Sequence, residues 1–282
     1  MKTLILGAKG TLGQALIQAF SDTDLVAWDR EELDISDFEK TKQKIRELKP
    51  DVIINAVAIN AVDDIETKPE VYEAAKKVNG LAPGNLAQIA KDLDIPFVHY
   101  STDYIFDGKT DQPYTEDATP HPLSKYGELK VLAEQEVQKV GGQYYIIRLA
   151  RLFGKPGISD QSKRSFVDTM IWLATKEGKE ELRVVSDQKG SPTYAPDLAQ
   201  LTRYIVDNKA EPGIYHGCNS GECSLFELAV KTFEIKGINI SVHPVDHTAF
   251  PRPAAVPAYS PLANTKLPQQ RTWENALKEY LS

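Results

Sequence analysis

The stretch that most restricts this chain is its beginning. Lys2 to Leu6 is a short apolar run with little alternation, as expected of a central strand in a parallel sheet. It runs directly into Gly7-Ala8-Lys9-Gly10-Thr11-Leu12-Gly13, and an apolar helix pattern follows through Leu16, Ile17 and Phe20. Strand, glycine-rich turn and helix form the context that a dinucleotide fingerprint needs. Glycines let the turn close and let backbone approach a pyrophosphate, while the helix N-terminus supplies N–H groups and positive dipole. The spacing is G-x-x-G-x-x-G rather than G-x-G-x-x-G, and a plain tight turn is the competing explanation.

The rest of the first half repeats the alternation. A second strand, Leu25 to Trp28, ends at Asp29, where an acidic residue would bind a ribose 2′-hydroxyl. Arg30 follows, and an arginine there meets a 2′-phosphate, so the pair leaves NAD and NADP both open. Ser36-Asp37-Phe38-Glu39 reads as a capping box opening a helix to about Leu48. Val52-Ile53-Ile54 is a third strand, ending in Asn55-Ala56. Pro69 to Leu93 is helical in pattern, with a break expected near Gly80 and Pro83. Strands at Phe97 to Tyr100 and Tyr144 to Leu149 enclose a helix around Tyr126 to Val140. This pattern predicts an α/β fold, a Rossmann-type doubly wound parallel sheet. Further along, helices are expected at Ser165 to Lys176 and Asp197 to Val206, and a last strand at Gly213 to His216. Asp197 is expected to cap the helix after it. Residues 154 to 165 read as a loop over a cleft, and the proline-rich stretch from Thr248 to Pro268 as extended or looping chain.

Within the alternation, one strand and the next helix carry chemistry. The strand from Phe97 ends in Ser101-Thr102-Asp103-Tyr104 and delivers hydroxyls at its C-terminal end. Tyr126 and Lys130 lie one helical turn apart on the same face. A phenol has a pKa near ~10, too high for acid–base work at neutral pH. A nearby ammonium favours the phenolate and lowers that value. With a strand-end hydroxyl holding a carbonyl against it, such a phenol can protonate an oxygen as hydride reaches the carbon. A surface tyrosine and lysine on an amphipathic helix is the bland alternative, since Y-x-x-x-K is a common chance spacing.

Composition narrows the partners. A net charge of −7 argues against nucleic acid or an anionic membrane as the main partner. No apolar run is long enough to cross a bilayer, and Met1 opens directly on the strand pattern. The only cysteines are Cys218 and Cys223, which suits a reducing cytoplasm. With His216 they lack a fourth ligand nearby, so no metal is expected there.

These motifs together resemble an extended short-chain dehydrogenase/reductase. S-T-D-Y-x-F-D-G at Ser101 to Gly108 is similar, more narrowly, to the dTDP-4-dehydrorhamnose reductase family. So are L-A-P-G-N-L-A at Leu81 to Ala87, S-F-V-D at Ser165 to Asp168, and D-Q-x-G-x-P-T at Asp187 to Thr193. The resemblance runs nearly the full length. It implies NADP- or NAD-dependent reduction of the 4-keto group of a nucleotide-diphosphate deoxysugar. By position, Tyr126 is the proton donor, Lys130 lowers its pKa and holds the nicotinamide ribose, and Thr102 binds the substrate oxygen. The cofactor would lie on Gly7, Gly10, Thr11, Leu12, Gly13, Asp29, Arg30, Asp34, Ile35, Asn55, Ala56, Val57 and Ala58, with Tyr126 and Lys130. The sugar would meet Thr102, Asp103, Tyr104, Phe106, Arg151 and Arg252. The resemblance further implies a cofactor domain over 1–150, also using about 194–219, and a substrate-binding lobe over 151–193 and 220–282.

The chain departs from the family in three places. Arg151 stands where many members carry a tryptophan that packs on the sugar. Val256-Pro257-Ala258-Tyr259-Ser260 lacks the arginine of R-P-x-x-S, which Arg252 would replace. Gln14, Ala15 and Pro196 do not supply the carboxylates with which some members hold magnesium between subunits, so a metal-independent monomer or homodimer is expected. Two other functions fit the same frame. A 4,6-dehydratase or epimerase is one, but the dehydratases need a second acid after Asp103, where this chain has Tyr104. A non-catalytic subunit resembling the regulatory subunit of methionine adenosyltransferase is the other, and the complete Thr102, Tyr126, Lys130 set speaks against it.

Overall fold

The computed structural model describes residues 1–159 and 162–282. In chain order the first half comprises β1 (Lys2–Leu6), α1 (Thr11–Ala19), β2 (Asp24–Trp28), α2 (Phe38–Leu48), β3 (Val52–Asn55), α3 (Val62–Thr67), α4 (Pro69–Ala75), α5 (Ala82–Asp92), β4 (Phe97–Thr102), α6 (Lys125–Val140) and β5 (Tyr144–Leu149). The second half comprises β6 (Leu152–Phe153), α7 (Phe166–Thr175), β7 (Glu181–Val185), β8 (Lys189–Gly190), β9 (Thr193–Tyr194), α8 (Ala195–Asp207), β10 (Gly213–His216), β11 (Cys223–Ser224), α9 (Leu225–Lys236), β12 (Ser241–Val245) and α10 (Trp273–Leu281).

Six strands form one parallel sheet in the order β10-β5-β4-β3-β1-β2. The four inner strands, β5, β4, β3 and β1, are buried on both faces. Ile5, Ile54, Val98 and Ile147 point to the side covered by α1 and α8, with Leu16, Phe20, Leu198 and Ile205. Leu4, Leu6, Ile53, Phe97 and Ile146 point to the opposite side, against Ile45, Leu86, Ala90 and Val137 of α2, α5 and α6. This explains the missing alternation, because a strand covered on both faces has no polar face to show. Further buried clusters gather Phe153, Val167, Leu228, Trp273 and Leu277, and Met170, Val184, Ala229 and Phe233, from elements outside the sheet.

Several local expectations need correction. Ser36 does not cap α2; Asp37 does, accepting from the Lys40 N–H, while the Ser36 hydroxyl donates to Asp34. The stretch from Pro69 is not broken at Gly80. It passes from α4 through a π-helical turn, Lys76–Leu81, into α5, with Pro83 in the first turn of α5. Asp197 does not cap α8, which begins earlier, behind Tyr194. Its carboxylate accepts instead from Arg271 Nε and Nη2, both at 2.8 Å, and from Asn219. Of the loop expected over 154 to 165, positions 160 and 161 lie outside the described residues. Its earlier part lies on the glycine turn, where the Ile158 N–H donates to the Lys9 carbonyl at 2.8 Å.

Candidate active site

Parallel strands of one sheet all end at the same edge, and where the strand order reverses the loops part to leave a crevice. Here β2 lies on one side of β1 and β3 on the other. The C-terminal ends of β1, β3 and β4 therefore meet at one edge, with Gly7 just past β1 and Asn55 and Thr102 as the last residues of β3 and β4.

The glycine turn is set by close packing. Gly7 has a φ of +82°, and a Cβ there would stand 2.8 Å from the Ala56 carbonyl carbon. A Cβ on Gly13 would stand 2.1 Å from the Gly7 oxygen. Neither position admits a side chain. Asp29, at the end of β2, accepts from the Lys9 N–H and the Arg30 N–H, each at 2.8 Å. The Arg30 side chain extends into solvent, 3.8 Å from Asp34. Thr11, at the start of α1, accepts from the Gly157 N–H. Leu12 and Ile35 are buried, their side chains in the cores on the two faces of the sheet. Asn55 Oδ1 accepts from the Val57 N–H, which ties Ala56, Val57 and Ala58 into a turn beside Gly7.

The reacting groups come from β4 and α6. Ser124 caps α6, accepting from the Gly127 N–H, and this fixes the first turn in which Tyr126 sits. The Tyr126 ring is buried and meets Tyr104 edge-on, ring centres 5.6 Å apart. Its hydroxyl donates to Asn60 Oδ1 at 3.4 Å, with the Thr102 side chain beside it. Burial, with Tyr104 and Asp103 nearby, pushes the phenol pKa up, and the Thr102 hydroxyl opposes this. In the unliganded chain the phenol is thus held protonated, as a proton donor must be. Lys130 does not act on it there. The lysine is buried, its Nζ donates to the Tyr100 carbonyl at 2.5 Å and lies 3.3 Å from His99 Nε2. Burial lowers its pKa to about 8 against the pull of Glu134.

The expected sugar contacts divide. The Thr102 hydroxyl donates to Asp103 Oδ1, and Asp103 is buried with its pKa pushed up by that burial. Tyr104 packs beside them, and Arg252 reaches it while pairing with Asp63 at 3.1 Å. Phe106 is not in the site: it is fully buried, stacked on Tyr114 at 3.9 Å and under the Arg148 guanidinium. Arg151 lies within electrostatic reach of Asp103, yet two of its nitrogens are committed to the carbonyls of Cys223 and Gln188.

Four further residues belong here that the expected site set lacks. Asn60 receives the tyrosine hydroxyl. Asn79, in the π-helical turn, clamps both the N–H and the carbonyl of Ile59 and so holds Asn60 in place. Ser260 donates to Asp103 Oδ2. His99 touches Lys130. The last had a visible signal, a polar ring inside a strand otherwise read as buried.

The sequence matches the model of the family described as the RmlD substrate binding domain over residues 1–282. It is 34% identical to the spore coat polysaccharide biosynthesis protein SpsK of Bacillus subtilis, covering 99% of this chain and 96% of that one. It is 35% identical to the dTDP-4-dehydrorhamnose reductase of Mycolicibacterium smegmatis, over 99% of this chain and 84% of that protein. Among solved structures, it superposes on a dTDP-4-dehydrorhamnose reductase of Clostridium acetobutylicum with a TM-score of 0.92 at 38% identity, covering 100% and 98% of the two chains. The dTDP-4-dehydrorhamnose reductase of Bacillus anthracis, solved in complex with NADP, gives 0.91 at 32% identity, over 99% and 98%. By these matches along its whole length, the chain belongs to the RmlD substrate binding domain family of extended short-chain dehydrogenase/reductases.

Proposed function

We propose that this protein is a reductase that uses NADPH or NADH to reduce the 4-keto group of a nucleotide-diphosphate deoxysugar. One observation carries the reading: a protonated phenol, Tyr126, beside the Thr102 hydroxyl, at the edge of the sheet where the glycine turn also opens. The glycine turn and the N-terminus of α1 would hold the pyrophosphate, and Asp29 and Arg30 the adenosine ribose. The cofactor, when bound, supplies hydride. The chain's own part is to bind the sugar carbonyl at Thr102 and to deliver the Tyr126 proton to its oxygen. Residues 151–193 and 220–282 would form the lobe that receives the nucleotide-sugar, with Asp103, Tyr104 and Arg252 at its contact with the sugar. The protein would act in the cytoplasm as a monomer or homodimer.

A thermal-shift screen of nucleotide-sugars in the presence of NADPH tests this reading, because a ligand that binds only the native state raises the melting temperature. Stabilisation by a dTDP-deoxysugar beyond that given by NADPH alone supports it. Equal melting temperatures with every sugar would count against it.

A further inference from the structure

Lys130 is not merely buried; its surroundings disfavour the charged one of its two protonation states. The selection starts on β3. The Val57 N–H needs an acceptor, and Asn55 Oδ1 supplies it at 3.1 Å. This fixes the amide orientation, so Asn55 Nδ2 faces His99 Nδ1 at 3.2 Å and donates to it. A neutral imidazole carries one proton, and with Nδ1 accepting, that proton sits on Nε2. His99 is 1% exposed, and burial holds its pKa well below the ordinary value, so the ring stays neutral. Its Nε2–H points at Lys130 Nζ, 3.3 Å away.

A neutral amine can accept that hydrogen while donating to the Tyr100 carbonyl. An ammonium has no lone pair, and it would set N–H against N–H. The other charged groups do not cancel this. Glu134, one turn further along α6, favours the ammonium, but its two oxygens are held by Arg148 of β5 at 3.0 and 2.7 Å. Tyr126, one turn earlier on α6, is protonated and neutral. Two residues nearer the mouth, on the same face of β4 as His99, the buried Ser101 hydroxyl has no hydrogen-bond partner among the described residues.

We propose that His99, locked by Asn55, is a positioning residue for Lys130: it retains the neutral amine against β4 and releases the ammonium toward the cofactor ribose, Tyr126 and Ser101. The inference deepens the reductase reading and rests on it for the destination of the lysine. His99 is not itself a proton relay, because the Asn55 amide does not give up a proton to Nδ1 to replace one leaving Nε2. Protonation and movement of Lys130 are instead one event, so the lysine reaches the reacting tyrosine in its charged form.

The test needs no substrate. Nitrogen-15 NMR of histidine-labelled protein, with the His99 signals assigned by their loss in His99→Gln, reports the tautomer directly. We expect the neutral Nε2–H form, unchanged from about pH 6 to about pH 9. An Nδ1–H tautomer, or a His99 ring that titrates in that range, overturns the proposal. A second variant reverses the lock. In Asn55→Asp a carboxylate faces Nδ1, draws the proton there, and turns Nε2 into an acceptor for the ammonium. The Lys130 pKa, read by carbon-13 NMR of its Cε, should rise by about one unit or more, a tenfold change, and the alkaline limb of kcat should move the same way. An unmoved Lys130 in folded Asn55→Asp overturns the proposal. Failure of the reductase reading would look different: the expected NMR signature with no turnover of any 4-keto sugar.

Discussion

The Ser260 hydroxyl donates to Asp103 Oδ2 across 2.6 Å, joining residues 157 positions apart in the chain. It ties the proline-rich C-terminal segment to the end of β4, at the carboxylate whose other oxygen receives the Thr102 hydroxyl. Ser260→Ala leaves a buried carboxylate oxygen short of a donor, at a cost of about 1–3 kcal/mol. A lowered melting temperature and a raised KM for the sugar, with KM for NADPH unchanged, are expected. Identical KM values in the variant would mean that Ser260 does not order the sugar site.

The second prediction concerns Arg148 and Glu134, whose side chains are each 2% exposed and meet at 2.7 Å. Removing one member of a buried pair leaves an uncompensated charge, which costs roughly 3–5 kcal/mol. Glu134→Ala should lower the urea midpoint accordingly. Glu134→Gln keeps an acceptor for one guanidinium N–H and should lose less. Equal losses in the two variants would contradict the ion-pair account.

Stability should also fall in mild acid. His216 is fully buried beside Glu116 and Arg148, and burial lowers its pKa from 6.5 to about 4. Between those values the unfolded chain takes up a proton that the folded chain refuses, so stability declines as pH falls through that window and levels off below it. His99 acts in the same direction. Urea unfolding at about pH 7 and about pH 5 measures the slope, and His216→Gln should flatten it. A slope unaltered by that change would assign the acid loss to other groups.

Much of this was legible because it is periodic or steric. Doubly buried strands show as unbroken apolar runs, and the turn at Gly7 and Gly13 admits nothing larger. Thr102, Tyr126 and Lys130 follow from their places on a strand end and one helix face. What the sequence hides is partnership across distance. Nothing local shows that Asp197 serves Arg271 rather than a helix end, or that Arg151 spends its donors on two carbonyls. Phe106 sits in a recognisable motif, yet its side chain faces Tyr114 rather than the crevice. Tyr126 and Lys130 share one face of α6, but their expected coupling depends on which neighbour the lysine holds, and here it holds His99 and the Tyr100 carbonyl.

Cofactor choice should follow Arg30. Its side chain is 75% exposed and only loosely opposed to Asp34, free to meet a 2′-phosphate. Arg30→Ala should weaken NADPH by about tenfold while sparing NADH, the size of one charge-assisted hydrogen bond. Asp29→Ala should weaken both cofactors, because Asp29 also holds the Lys9 N–H of the glycine turn. Fluorescence titration of each cofactor reads both effects. An unchanged ratio of affinities in Arg30→Ala would remove that residue from the adenosine site.

Transfer of deuteride from deuterated NADPH to dTDP-4-dehydrorhamnose, followed by absorbance at the nicotinamide band and by mass and NMR of the product, tests the central claim most directly. The unmodified protein should place deuterium at C4 of the sugar, and Tyr126→Phe, which loses only the phenol proton, should do so about 10²-fold more slowly or worse while binding NADPH as before. No deuterium at C4 would contradict the assignment as a reductase of this sugar, and equal rates for the two proteins would contradict Tyr126 as its proton donor.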